Sequence, residues 1–195
     1  MREAGNIQKV EELNIAMMGF IFYPQSARYV HTIPSYLPSK CKRVGVFVHE
    51  TPENIKRIVR LFSLDYVQLH GNESPDYCIN IHNYGIRIIK AFPVTSPDDL
   101  KDTALYTGIC DYYLFDTKCE SYGGSGKQFD WEILHQYTGD TPFILSGGLD
   151  KNSVNDLRRF KHPRLAGYDL NSKFEVAPGL KNREQIKLFL ENMNN

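Results

Sequence analysis

Seven short runs of nearly continuous hydrophobicity punctuate the chain: MMGFIFY, RVGVFV, YVQLH, RIIKAF, YYLFD, PFILSG and GYDLNS. Runs of this length, bounded by polar turns, are the pattern of parallel strands covered on both faces. The intervening segments carry helical start signals. Thr51-Pro52, Ser74-Pro75 and Ser96-Pro97 each set a capping hydroxyl before a proline at the first helical position, where a missing N–H costs nothing. Asn182 to Gln185 has the form of a capping box before an apolar face of Ile186, Leu188, Phe189 and Leu190. The connection after the first run is the least regular, with IPSYLPS offering a turn or two of helix.

The stretch from Glu3 to Leu13 also reads as helix, so there are eight helical segments for seven strands. Repeated strand–helix alternation gives either an open doubly wound sheet or a closed barrel of eight units. A helix that comes before any strand favours the barrel, with the first strand missing from this chain. The expectation is an α/β fold, a (β/α)8 barrel lacking its first strand, formed by residues 1–195 as a single domain. Exposed edges beside such a gap invite pairing between chains. The pattern therefore also predicts a homo-oligomer or a disordered rim near residues 1–16.

Composition changes the picture chiefly by exclusion. With 195 residues and 42% hydrophobic content, the chain can bury one substantial core. Lys+Arg and Asp+Glu both total 23, so no overall basic field recruits nucleic acid or an anionic membrane. No apolar run approaches the ~20 residues of a membrane span, and a cytoplasmic protein acting on a small molecule is expected. Cys41, Cys78, Cys110 and Cys119 are scattered, without CxxC pairs or histidines at metal-ligand spacing. Reduced, mostly structural thiols and no metal site follow.

In such barrels the chemistry sits where strands end, which singles out the polar residues there. Asp116 closes an apolar run; partial desolvation there raises a carboxyl's pKa and suits a proton donor, and a helix cap or ion-pair partner is the alternative. The following segment, with Gly123, Gly124, Gly126 and Lys127, reads as a mobile lid or a long surface loop, and lacks P-loop spacing. Gly147 and Gly148, with Asn171, Ser172 and Lys173, end the last two runs, where backbone N–H groups commonly hold a phosphate; a tight turn is the alternative. His70 is either a satisfied core histidine or, with Gln68, a site residue. Arg28 is either an exposed charge or a bidentate clamp on a carboxylate. Asp169 completes the polar set. Together these residues predict an anionic, phosphorylated substrate.

Taken together, GFIFYPQSARYV, RVGVFVHETPENI, DYVQLHGNESPDYC, IKAF, LFDTK, GGSGKQFDW, PFILSGGL and DLNSKFEVAPGLKN resemble the phosphoribosylanthranilate isomerase family in the family's own order. VQLHG and GGSGKQFDW are the most specific. The resemblance implies a TIM barrel and an Amadori rearrangement in tryptophan biosynthesis, in which a ribosylamine ring opens and an aminoaldose becomes an aminoketose. It implies that Asp116 is the general acid at the ring oxygen, that Asp169 contacts sugar hydroxyls and that Arg28 faces the anthranilate carboxylate. Gln68 and His70 then line the site, and Gly147, Gly148, Asn171 and Ser172 hold the phosphate. Proton transfers suffice, so no metal or organic cofactor is implied. The family's general base is a cysteine in a Cys-Gly pair ending the first strand, and Met1-Arg2 corresponds to the residues directly after that pair. Very low activity is expected of this chain, Cys119 being judged a surface or packing cysteine. A non-catalytic phosphosugar-binding barrel is the alternative. Ala27, Lys173 and Phe174 depart from the family's usual residues.

Overall fold

A computed structural model describes residues 1–117 and 130–194 of the chain. All seven runs form strands: β1 (Met17–Ile21), β2 (Lys42–Phe47), β3 (Tyr66–Leu69), β4 (Arg87–Val94), β5 (Tyr112–Thr117), β6 (Phe143–Leu145) and β7 (Leu165–Tyr168). They lie side by side in chain order, each pair parallel, in one sheet whose edges are β1 and β7. This is a TIM-type (β/α) arrangement. The last strand ends earlier than the hydrophobic pattern predicts: β7 stops at Tyr168, which leaves Asp169 to Ser172 in the loop beyond it.

Helices α1 (Ala4–Glu11), α2 (Pro52–Phe62), α3 (Pro75–His82), α4 (Val154–Arg159) and α5 (Arg183–Asn194) are joined by 3₁₀ helices at Pro97–Tyr106 and Trp131–Gln136. The predicted caps are largely present. Thr51 and Ser74 accept from the N–H of Asn54 (3.3 Å) and Tyr77 (3.2 Å), contacts that typically contribute ~1 kcal/mol each. The box at Asn182 is one-sided. Its side chain accepts from Gln185 N at 3.1 Å, while its own N–H goes to Phe174 O at 2.8 Å rather than to Gln185.

The IPSYLPS stretch is not helical. Pro34 and Pro38 disfavour helical geometry in the residues before them, and a side chain distant in sequence takes the N–H groups that a helix would use. Glu11 of α1, buried, accepts from Ser39 N at 2.6 Å, from Lys40 N and from Tyr36 Oη.

Strand alternation sorts the sheet into two faces. Val44, Tyr66, Ile89, Ala91 and Leu114 are aligned across strands by register and form a small inner cluster. The opposite face, including Phe47, Leu69, Ile88, Phe92, Phe115 and Leu145, packs against Ile55, Ile81, Leu100, Leu134, Leu157 and Phe189 of the surrounding helices. The site depends on this parity. Gln68 lies two residues beyond Tyr66 and Asp116 two beyond Leu114, so both project from the inner face at the C-terminal ends of their strands.

The β1 edge of the sheet is covered rather than bare. On the side of β1 away from β2, Gly19 O accepts from the Met1 amino group at 2.7 Å and Ile21 O from Val30 N at 2.9 Å. Residues 1–16, where a disordered rim was one of the expectations, pack through Met1, Ile7 and Val10 into the core. A short hairpin, β8 (Glu175–Ala177) and β9 (Leu180–Lys181), then meets α1. There the Asn6 carboxamide bonds both the O and the N of Lys181, each at 2.8 Å, as a neighbouring strand would.

Candidate active site

Five polar residues converge at the C-terminal ends of β3, β5 and β6 and the start of the loop after β7. The Gln68 amide contacts His70 Nδ1 at 2.7 Å, and His70 Nε2 lies 3.5 Å from Asp116 Oδ2. Ser146, directly after β6, donates from Oγ to Asp169 Oδ2 at 3.2 Å. Backbone bonds from Ser146 N to Phe115 O and from Asp169 N to Leu145 O, both 2.9 Å, continue the sheet pairing past its formal end and hold the Asp116 and Asp169 carboxylates on either side of Ser146, at the ends of β5 and β7. Burial pushes the Asp169 carboxyl above its ordinary range and the nearby negative charge of Asp116 adds to this, while Lys181, the Ser146 hydroxyl and His70 oppose it.

A second group of charges adjoins the first through Lys181. Arg28 does not stand exposed; its Nε lies 2.9 and 3.1 Å from the two Glu175 oxygens, and its Nη2 lies 2.8 Å from Oε2. Glu175 also accepts from Gly179 N at 3.1 Å and lies 3.3 Å from Lys181 Nζ. Lys181 in turn donates to Asn171 Oδ1 at 2.9 Å. Glu175 and Lys181 are register partners across the β8–β9 hairpin, whose turn has Gly179 at φ 80°, so their proximity follows from the hairpin itself. Burial raises the Glu175 pKa, yet hydrogen bonds from Arg28 and the charge of Lys181 outweigh it and hold the carboxyl below its ordinary value.

Of the residues expected at the site, Gln68, His70, Asp116 and Asp169 form one polar group, and Arg28 and Asn171 join it through Glu175 and Lys181. Gly147 and Gly148 directly follow Ser146 and adopt φ of 87° and 71°, conformations that favour glycine. Ser172 and Lys173 lie on a three-residue 3₁₀ turn, Ser172–Phe174, with Lys173 exposed. Gly123, Gly124, Gly126, Lys127 and Cys119, read as a lid and a packing cysteine, lie outside the described residues. Among the described residues, no group of three or more His, Cys, Asp or Glu is placed to hold a metal ion, and no helix is long and apolar enough to cross a membrane. Cys41 and Cys110 lie one and two residues before β2 and β5, at the opposite ends of the strands from the site, and Cys78 lies on α3.

The sequence reading missed Ser146, Glu175 and Lys181. Ser146 was legible as the residue two beyond the inner-facing Ile144. Glu175 and Lys181 lie within the quoted DLNSKFEVAPGLKN stretch, where Pro178-Gly179 is a turn signal that predicts their juxtaposition.

A family model described as N-(5'phosphoribosyl)anthranilate (PRA) isomerase matches residues 1–192. A protein of Phocaeicola vulgatus named N-(5'-phosphoribosyl)anthranilate isomerase is 49% identical over 193 residues, covering 99% of this chain and 94% of the relative. The crystal structure of phosphoribosyl anthranilate isomerase from Thermotoga maritima superposes with a TM-score of 0.84 at 32% identity, over 100% of this chain and 95% of that one. A further structure of such an isomerase, in complex with reduced 1-(o-carboxyphenylamino)-1-deoxyribulose 5-phosphate, gives a TM-score of 0.79 at 29% identity over 100% and 98% of the two chains.

Proposed function

The chain belongs to the N-(5'-phosphoribosyl)anthranilate isomerase family, and from that premise we propose how its residues serve the reaction. The substrate is phosphoribosylanthranilate, and the step is the isomerisation of tryptophan biosynthesis. Asp116 is the general acid, delivering a proton to the ring oxygen as the sugar opens, and His70, 3.5 Å away, orients it. Asp169, held by Ser146, meets the sugar hydroxyls. Arg28 takes the anthranilate carboxylate with a guanidinium already fixed on one edge. Gly147, Gly148, Asn171 and Ser172 bind the phosphate through backbone N–H groups that a side chain at positive φ would strain. The reaction takes place in the cytoplasm. The observation that supports this reading is the inner-face placement of Gln68, His70, Asp116, Ser146 and Asp169 at the C-terminal ends of β3, β5, β6 and β7.

The reaction also needs a base to remove the proton from the sugar's second carbon, so that the resulting enolamine can return as a ketone. None of the described cysteines lies at the strand ends that carry Asp116. On this reading the described residues supply the acid half of the acid–base pair, and the 195-residue chain turns over slowly. The test is substrate turnover, followed by loss of substrate fluorescence, for this chain beside one extended at its N-terminus by an apolar strand ending in Cys-Gly. Faster turnover of the extended chain supports the assignment. Equal turnover assigns the base to a residue already present, and binding without turnover in both chains favours a phosphosugar-binding barrel.

A further inference from the structure

We propose that Glu175 is a positioning residue, which sets Arg28 in the orientation that accepts the carboxylate of the substrate's aromatic ring. The inference rests on the activity reading above and extends it to a residue that does not itself touch the substrate. A guanidinium offers two parallel N–H forks, one from Nε and Nη2 along its side and one from Nη1 and Nη2 at its end. Glu175 fills the side fork, with Oε2 2.9 Å from Nε and 2.8 Å from Nη2. Among the described residues Nη1 has no acceptor, so the end fork is presented, in the plane Glu175 dictates, to a second carboxylate.

Glu175 is fixed well enough to do this. Its side chain is 5% exposed, and besides Arg28 it receives Gly179 N at 3.1 Å and Lys181 Nζ at 3.3 Å. Arg28 alone has a long side chain with several rotatable bonds, whose freedom a carboxylate ligand would have to quench on binding. A purely mechanical alternative is that the Arg28–Glu175 pair only latches the segment after β1 to the β8–β9 hairpin.

Calorimetric titration separates the two roles. The ligands are reduced 1-(o-carboxyphenylamino)-1-deoxyribulose 5-phosphate and the same compound without its ring carboxylate. Charge-assisted pairing predicts that the unaltered chain prefers the first by on the order of tenfold to a hundredfold. Glu175→Gln is expected to reduce that preference by about tenfold or more while leaving affinity for the second ligand within about twofold. Arg28→Lys retains a cation beside Glu175, and with it the latch, but has no second fork, so it is expected to lose the preference as well. Equal weakening of both ligands in Glu175→Gln, or a full preference in Arg28→Lys, would overturn the positioning role. Binding of neither ligand by the unaltered chain would instead overturn the activity reading, and the positioning role with it.

Discussion

Replacing Lys90 by Met should destabilise the protein far more than its single charge suggests. Lys90 lies in β4 on the face packed against the helices, with its side chain 3% exposed, and its ammonium is 3.4 Å from Glu73, whose side chain is 2% exposed. It donates to Gly71 O at 2.7 Å, Ala91 O at 2.8 Å and Leu69 O at 3.4 Å. Met matches its length and fills its space, but leaves three carbonyls without this donor and a buried carboxylate without its cation. Removing one partner of such a pair costs about 3–5 kcal/mol, a large share of the roughly 5–15 kcal/mol that holds a domain together. For a chain of this size, that lowers the melting temperature by roughly 6–20 °C. Removing the residual charge with Glu73→Gln in the same chain should bring the loss under about 2 kcal/mol, because an apolar and neutral replacement carries no stranded ion. The assay is urea unfolding of the four chains of the cycle, with hydrogen exchange at the His49 and Gly71 amides, which donate to Glu73 at 3.0 and 2.9 Å. Those amides should exchange faster in the single variant, because Glu73 anchors the loop that follows His70. A loss within about 1 kcal/mol for Lys90→Met, or losses that simply add in the double variant, would refute the reasoning.

Other expectations concern the site and α1. Asp116→Asn should lower turnover by about 10²–10⁴-fold in a chain extended by the Cys-Gly strand, with little change in ligand affinity, as measured by steady-state kinetics and titration. Gly148→Ala places a Cβ at φ 71°; it should cost about 1–2 kcal/mol in thermal unfolding and weaken a phosphorylated ligand more than its unphosphorylated counterpart. Glu11→Gln should destabilise by about 2–4 kcal/mol at neutral pH, since the carboxylate takes three hydrogen bonds. Burial acts to raise the Glu11 pKa, but the bonds from Tyr36, Lys40 and Ser39 outweigh it and set the folded value below the ordinary 4.5. Its contribution is therefore full above about pH 4.5 and lost as pH falls through the lower folded value; unfolding midpoints from pH 3 to 7 should converge for the two chains at the acid end.

These outcomes turn on interactions of very different sequence reach, and that reach decides what the chain makes legible. The strands were readable because a parallel strand covered on both faces records its own burial in a local apolar run. Gln68 and Asp116 are readable because the end of an apolar run is also a local feature, and the parity that turns both inward follows from the strand itself. IPSYLPS was misread because its backbone partner, Glu11, lies 28 residues away from Ser39. Arg28 was read as exposed or ligand-bound because Glu175 is 147 residues away, and no spacing rule connects the two. The same distance explains why these residues matter together. Asn6 pins the β8–β9 hairpin to α1 at Lys181, and that hairpin holds Glu175 against Arg28 at the far edge of β1. The contacts that tie α1 and the segment after β1 to the β8–β9 hairpin are thus the ones that aim the proposed carboxylate clamp, so loosening the hairpin should weaken ligand selectivity before it unfolds the sheet. Asn6→Ala, which removes both carboxamide bonds while leaving the core residues Ile7 and Val10 in place, is expected to lower the preference for the carboxylated ligand at a cost of about 1–3 kcal/mol in stability. If that variant loses stability with its selectivity intact, docking of the hairpin on α1 and aim of the clamp are independent.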